Sequence, residues 1–281
     1  MKQRIVVITD CVDVAANELS TTLVRNLEKL KADKNVEIES IVRAEEFSII
    51  NGAFLVRLMA DIYNPQTTTF LVVLNPLKTN RKDRVRIIGQ TRNGFKFVGE
   101  NTGTLGWLIK DFGIREIYES NQKGLDGKEF IPFGGKFIHA PIAAKIASGR
   151  SLREIGSDFD PRKVTFITFK KGAVLHIDNF GVAKIFIREL NLPEGSTVGI
   201  SINKKDKIKA KFTHSMKNLP DETWALYPGA SLGGLFELGL VRANGGKKTF
   251  SLNRGYYKDQ IINSNYFLGG RVNLSSFFFC D

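Results

Sequence analysis

The hydrophobic positions of this chain fall into two textures that meet near residue 160. Residues 5–9 (Ile5-Val6-Val7-Ile8-Thr9) are apolar almost without interruption and stop at Asp10. A run without alternation predicts a strand buried on both faces, as in the middle of a mostly parallel sheet. Residues 14–31 then set Ala15, Leu19, Leu23, Leu27 and Leu30 along one side of a helix, and 36–42 read as a second strand. Residues 49–62 are apolar nearly all round, which predicts a deeply buried helix. Asn64-Pro65 ends that pattern, and a third buried strand follows at 70–74. Strand, helix, strand, helix, strand in this order implies right-handed crossovers and a parallel sheet.

The runs then shorten. Residues 85–88 and 95–98, joined through Asn93-Gly94, predict a hairpin. Asn101-Thr102-Gly103 is a tight turn before a helix at 105–112 and a short strand at 114–118. Another helix starts near Pro141, where proline is well tolerated, and runs to about 148. Gly156-Ser157-Asp158 reads as the close of the first domain. Beyond it, alternating runs at 164–169, 174–177, 183–187, 197–202, 208–212, 224–227 and 235–240 have the spacing of antiparallel strands. The fold expected is an α/β domain with a mostly parallel sheet over 1–160, followed by an antiparallel β-barrel or sandwich over 161–281.

Composition changes this picture little. With 42% hydrophobic and 25% charged residues, the 281-residue chain reads as an ordered globular protein. It has no apolar run of about 18 residues to span a bilayer and opens without a signal-peptide pattern, so a cytoplasmic location and no membrane partner are expected. Cys11 and Cys280 make neither a disulfide framework nor a metal-ligand spacing. The net charge of +12 raises nucleic acid as a partner. The basic residues are spread, however, with only modest clusters at 78–86 and 204–211, and no nucleic-acid motif accompanies them. No nucleic-acid partner is expected.

Candidate chemistry starts at Asp10. An acid just past a buried parallel strand stands at the carboxyl edge of the sheet, where open α/β folds bind ligands. The same residue could instead cap the following helix. A second acid ends a strand in Ile177-Asp178-Asn179-Phe180-Gly181.

Ile8-Thr9-Asp10, residues 71–76, Asn101-Thr102-Gly103-Thr104-Leu105, residues 133–141 and Ile177-Asp178-Asn179-Phe180-Gly181 occur in the order and spacing of one family. The chain resembles the S-adenosylmethionine hydroxide adenosyltransferases, the family that also holds the fluorinating and chlorinating enzymes. The resemblance implies a homotrimer that holds S-adenosylmethionine between the first domain of one subunit and the second of its neighbour. It implies displacement at the ribose C5′, with water or halide as nucleophile and methionine as leaving group. No metal or other cofactor is implied; S-adenosylmethionine is substrate or ligand. Carried onto this sequence, Asp10 matches the acid on the ribose hydroxyls, a task suited to a two-oxygen acceptor. Asp178 matches the acid on the methionine ammonium, and Phe180 a ring against the adenine. Phe47 falls where relatives carry an aromatic near the ribose, and Ser231 within a loose match to the loop that holds the methionine carboxylate.

The departures bear on activity. The Asp, Arg and His that order water in the hydrolytic relatives read Asn75, Lys82 with Arg81 beside it, and Gly134 here. Asn75 can orient a water but cannot act as a carboxylate base. The family's second acid after the first strand falls on Ala15, the asparagine after Phe-Gly on Val182, and a Thr-Asn pair on Ile185-Phe186. Three readings follow: a divergent enzyme cleaving S-adenosylmethionine to adenosine and methionine, a catalytically silent binder of S-adenosylmethionine or adenosine, and another role on the same scaffold.

Overall fold

Strand β1 (Gln3–Thr9) is the hub of the first part of the chain. In the computed structural model, which describes residues 1–75, 85–120, 133–202, 206–242 and 272–273, the chain divides into two units, Met1–Ile167 and Thr168–Asp281. Ile5, Val6, Val7, Ile8 and Thr9 are fully buried, as an uninterrupted apolar run between two helical layers requires. β1 pairs in parallel with β2 (Val36–Ile38), β3 (Val42–Arg43) and β4 (Thr68–Val73). The sheet continues through β6 (Lys96–Glu100), β5 (Arg86–Thr91), β7 (Ile114–Ser120) and β8 (Gly156–Asp158). The β4–β6 pair is parallel, and the pairs from β6 outward are antiparallel.

Helix α1 (Asp13–Lys29) packs on α4 (Ala140–Ala147), and α2 (Ile49–Ile62) on α3 (Gly106–Phe112). Leu19, Leu23 and Leu27 of α1 meet Ile5 and Val7 of β1, Leu71 of β4 and Ile142 of α4 in one core cluster. α2 is as buried as its composition predicts. Its one arginine, Arg57, is held by Asp61 and Asp111 at 2.5 and 2.7 Å and lies over the Phe112 ring. A Cβ on Gly52 would collide with Leu74 Cδ1, so glycine there lets α2 approach the residue that leads into Asn75.

Two expectations from the sequence, for residues 36–42 and 164–169, are corrected, and two local features are added. Residues 36–42 form two short strands, because Glu39 turns its carboxylate to Arg4 between them while β2 and β3 pair with different ends of β1. Gly156-Ser157-Asp158 forms the edge strand β8, the last strand of the first sheet, and the first unit runs on to Ile167. A π-helical turn, Gly135–His139, precedes α4. Residues 164–169 join no sheet. At the start of this run the side chain of Asn101 donates to the Lys163 carbonyl and accepts from the Thr165 N–H, each at 2.8 Å.

The second unit is one seven-stranded sheet built from β9 (Val174–Ile177), β10 (Ala183–Ile185), β11 (Thr197–Ile202), β12 (Asp206–Phe212), β13 (Trp224–Pro228), β14 (Phe236–Leu240) and β15 (Val272–Asn273). Its order is β15-β11-β12-β13-β14-β10-β9. All pairs are antiparallel except β12 with β13, where the intervening residues return the chain to the start of the neighbouring strand. The inward faces place Ile185, Val198, Ile200, Phe212, Leu226, Phe236 and Leu238 in a separate core.

Candidate functional site

From β1 the chain moves outward to β2 and β3, then crosses back to β4 on the other side of β1. The carboxyl ends of β1 and β4 therefore form the topological switch point at which open α/β sheets bind ligands. Asp10 is the first residue beyond β1, and Asn75 lies two beyond β4. Asp10 is 7% exposed. Its Oδ2 accepts the backbone N–H of Asn75 at 3.0 Å and that of Phe47 at 3.1 Å. Its Oδ1 is buried and has no hydrogen-bond partner among the described residues. Burial pushes this carboxyl above its ordinary pKa, against the pull of the two N–H donors. Asp10 does not cap α1, whose N-cap is Val12 with no side-chain capping bond.

The loop that brings Phe47 to Asp10 is fixed at several points. Phe47 has φ +60°, a left-handed conformation that costs a bulky L-residue about 1–2 kcal/mol. Ser48 caps α2 by accepting from the Asn51 N–H at 3.2 Å, and buried Asn51 accepts from the Glu45 N–H at 2.9 Å. Asn51 was not picked out from the sequence. Its one available signal was a polar residue set in the otherwise apolar stripe of α2.

Asp10, Phe47 and Asn75 thus meet at one edge, although they are far apart in sequence. Arg81 and Lys82 lie outside the described residues. Gly134 opens the π-helical turn, and a Cβ on the next residue, Gly135, would meet Val73 at 2.5 Å, so this turn sits closely on the end of β4. An open groove of about 610 Å³ lined by Arg92, Gly113, Arg115 and Phe159 shares no residue with this edge.

The candidates of the second unit lie in a different setting. Asp178 closes the β9–β10 turn. Its Oδ1 accepts the N–H groups of Phe180 and Val182 at 2.9 and 3.0 Å, an Asx-type turn. Its Oδ2 pairs with Lys184 Nζ at 3.3 Å. Lys184 also reaches Glu237 at 2.8 Å, and Glu237 accepts from the Tyr227 hydroxyl at 3.0 Å. Burial, and next the Glu237 charge, push the Tyr227 phenol upward. The Phe180 ring projects, 73% exposed. Ser231 begins a short 3-10 turn, and its carbonyl accepts from Gly234 and Leu235. Lys184 and Glu237 were missed in the sequence, because each looks like an ordinary strand charge until the sheet sets β10 beside β14.

Comparison with known proteins agrees with this architecture. Residues 27–156 match the family model described as the SAM hydroxide adenosyltransferase N-terminal domain. These residues include Phe47, Asn75 and Gly134; Asp10 precedes them. The (R)-S-adenosyl-L-methionine hydrolase of Methanocaldococcus jannaschii is 24% identical over 220 residues, 74% of this chain and 80% of that protein. An uncharacterized conserved protein from Thermotoga maritima has the same fold, with a TM-score of 0.71 and 20% identity over 86% of this chain and 95% of its own. A conserved hypothetical protein from Thermus thermophilus gives 0.63 and 17%, over 86% and 93%. Over residues 27–156 the chain is thus similar to the S-adenosylmethionine hydroxide adenosyltransferases, and over most of its length to a hydrolase of S-adenosylmethionine.

Proposed function

We propose that this protein cleaves S-adenosylmethionine with water at the ribose C5′, giving adenosine and methionine. The observation that carries the reading is Asp10. One of its oxygens is fixed by two backbone donors at the switch point, and the other is buried with no partner among the described residues. An unsatisfied carboxylate oxygen in that place is suited to a pair of sugar hydroxyls. In the reaction a lone pair of the water oxygen forms the C5′–O bond, the C5′–S pair leaves on the methionine sulfur, and one proton passes to solvent. The sulfonium is already a good leaving group, so the protein's task is to place and desolvate the nucleophile. Asn75 has an amide where a base would stand, which favours a slow enzyme. Phe47 would lie near the ribose. Asp178, Phe180 and Ser231 would come from the neighbouring subunit of a homotrimer.

A second reading, a silent binder, is favoured by the same asparagine and by the engagement of Asp178 with Lys184. One experiment separates the two. Purified protein is incubated with each sulfonium epimer of S-adenosylmethionine, adenosine and methionine are quantified, and binding is measured in parallel by calorimetry. Equimolar adenosine and methionine are expected. Binding without product leaves the silent binder, and neither binding nor product removes both readings.

A further inference from the structure

Gly134 stands where the resemblance places a water-ordering histidine, and the structure shows what fills that space. A Cβ built on Gly134 would lie 3.1 Å from Nη2 and 3.7 Å from Nε of Arg86. The backbone there is ordinary right-handed helix, φ −54° and ψ −27°, so the glycine is not required by its dihedrals. What its missing side chain leaves open is room for a guanidinium. Arg86 begins β5 and is in register with Glu100, the last residue of β6. β6 runs parallel to β4, so Arg86 lies on the same sheet edge as Asp10 and Asn75.

The turn that follows carries an imidazole. The Ala140 N–H donates to the Gly135 carbonyl five residues back, the π-helical pattern that brings residues five apart to one side, a geometry frequent at functional sites. His139 is five residues beyond Gly134. It is 2% exposed, and neither ring nitrogen has a hydrogen-bond partner among the described residues. Burying a polar ring with both nitrogens unmatched costs free energy, so such a ring in a native protein calls for a partner. Burial, and secondarily the positive charge of Arg86, lower its pKa to about 3, so the ring is neutral and has one nitrogen to donate and one to accept.

We propose that Arg86 and His139 form a site that holds a water at this edge, and that this water is the nucleophile, in place of the side chains missing at positions 75 and 134. The second part rests on the cleavage reading above. The water donates one hydrogen to the unprotonated ring nitrogen and accepts from the guanidinium, which leaves its second lone pair for C5′. As the C5′–O bond forms and the C5′–S pair leaves with methionine, the surplus proton goes on to solvent. Arg86 and His139 position the nucleophile; neither stores the proton.

The test compares wild type, His139→Phe, His139→Gln, Arg86→Ala and Arg86→Lys, each checked for folding by its melting curve. Adenosine formation gives kcat and KM, and histidine ring ¹⁵N spectra report the hydrogen bonding of His139. His139→Phe and Arg86→Ala are expected to lower kcat by about 10²-fold with KM nearly unchanged, the size of a lost proton-handling or positioning group. His139→Gln, which keeps an acceptor, and Arg86→Lys, which keeps a donor, recover part of it. If the Phe or Ala variant does not fold, the Gln and Lys pair is read on the same scale. A folded His139→Phe protein with wild-type kcat overturns the proposal. If wild type binds S-adenosylmethionine but makes no adenosine, the cleavage reading falls, and the ring spectra decide the water site separately. An unprotonated ring nitrogen accepting a hydrogen bond from bound water, lost in Arg86→Ala, supports the site; a ring without water contact overturns it.

Discussion

Asp10 and Asp178 are both acids at strand ends, yet their surroundings are opposite. Asp10 has one oxygen held by two backbone donors and one with no partner among the described residues. Asp178 has both oxygens engaged within its own unit, by two N–H groups of its turn and by Lys184. Burial without a full set of partners raises the pKa of Asp10. The contrast separates an acid with one buried oxygen left open from one that closes a turn and a charge network. On the proposed reading, the acid assigned to the ribose keeps an open oxygen, whereas the acid assigned to the methionine end is held by its own turn and Lys184.

The largest effect is expected from Lys184, which bridges Asp178 and Glu237 with its side chain 14% exposed. Lys184→Met removes the only cation between two carboxylates there among the described residues. Breaking one partner of such a buried network costs about 3 kcal/mol. Denaturant unfolding should show that loss, and Lys184→Met/Glu237→Gln should restore part of it. The same variant can break the contrast. If freed Asp178 takes up a cationic ligand tail, S-adenosylmethionine gains affinity over adenosine when Lys184 is lost, whereas an unchanged ratio leaves Asp178 a structural acid.

Asp10→Asn comes next. If Asp10 holds ribose hydroxyls as proposed, the amide removes their charged acceptor and can still accept from one backbone N–H. Leaving those hydroxyls poorly matched costs about 1–3 kcal/mol, so adenosine affinity by calorimetry should fall by about one to two orders of magnitude. Stability should not fall with it. A carboxyl whose folded pKa is raised holds its proton more tightly when folded, so its ionisation destabilises the fold as pH rises past the unfolded value. Neutralising it should leave the melting temperature at neutral pH equal or higher. A lower melting temperature with unchanged affinity would make Asp10 an internal brace.

The parts of this contrast that could be read from sequence are those set by local pattern. The uninterrupted run before Asp10 fixes a central parallel strand, and with it the sheet edge. Asp178 before Asn179-Phe180-Gly181 marks a turn. What escaped depends on contacts across the sheet. Alternation in residues 164–169 predicts a strand, but these residues join no sheet, and the Thr165 N–H goes to Asn101, a residue of a distant turn. Nothing in a phenylalanine codes for the left-handed backbone of Phe47, which exists because Asp10 and the Ser48–Asn51 cap determine the loop from outside. Lys184 and Arg86 look like ordinary strand cations until the sheet supplies their neighbours.

A third effect concerns the histidines of the two units. His139 has its pKa lowered to about 3, chiefly by burial. His176, also lowered by burial, has Asp178 opposing the shift. With an ordinary value near 6.5 when unfolded, the unfolded chain binds a proton at position 139 that the folded protein refuses. The His139 contribution to stability is therefore complete above about pH 6.5 and is lost as pH falls toward 3, with a slope of up to about 1.4 kcal/mol per pH unit. Urea unfolding of wild type and His139→Phe at pH 7 and pH 4.5 isolates it: the difference between the two proteins should shrink or reverse at the lower pH. A constant difference would mean that His139 is charged, or absent from the core, in the folded state.

The smallest effect separates two uses of Phe47. Its half-buried ring could lie against a ribose, or the residue could serve only to turn the backbone so that its N–H reaches Asp10. Asparagine tolerates the left-handed conformation, so Phe47→Asn relieves about 1 kcal/mol of backbone strain while giving up a comparable amount of ring burial. Stability should move by less than about 1 kcal/mol in either direction. Phe47→Ala keeps the strain and loses the ring, and should be the less stable of the two. If the ring touches the ligand, both variants weaken adenosine binding by about fivefold, as loss of one aromatic contact would. If only the backbone matters, Phe47→Asn binds like wild type and Phe47→Ala falls short in proportion to how far its loop departs from +60°. That outcome would place the recognition at this edge in Asp10 and its two backbone donors, with the aromatic ring serving the fold.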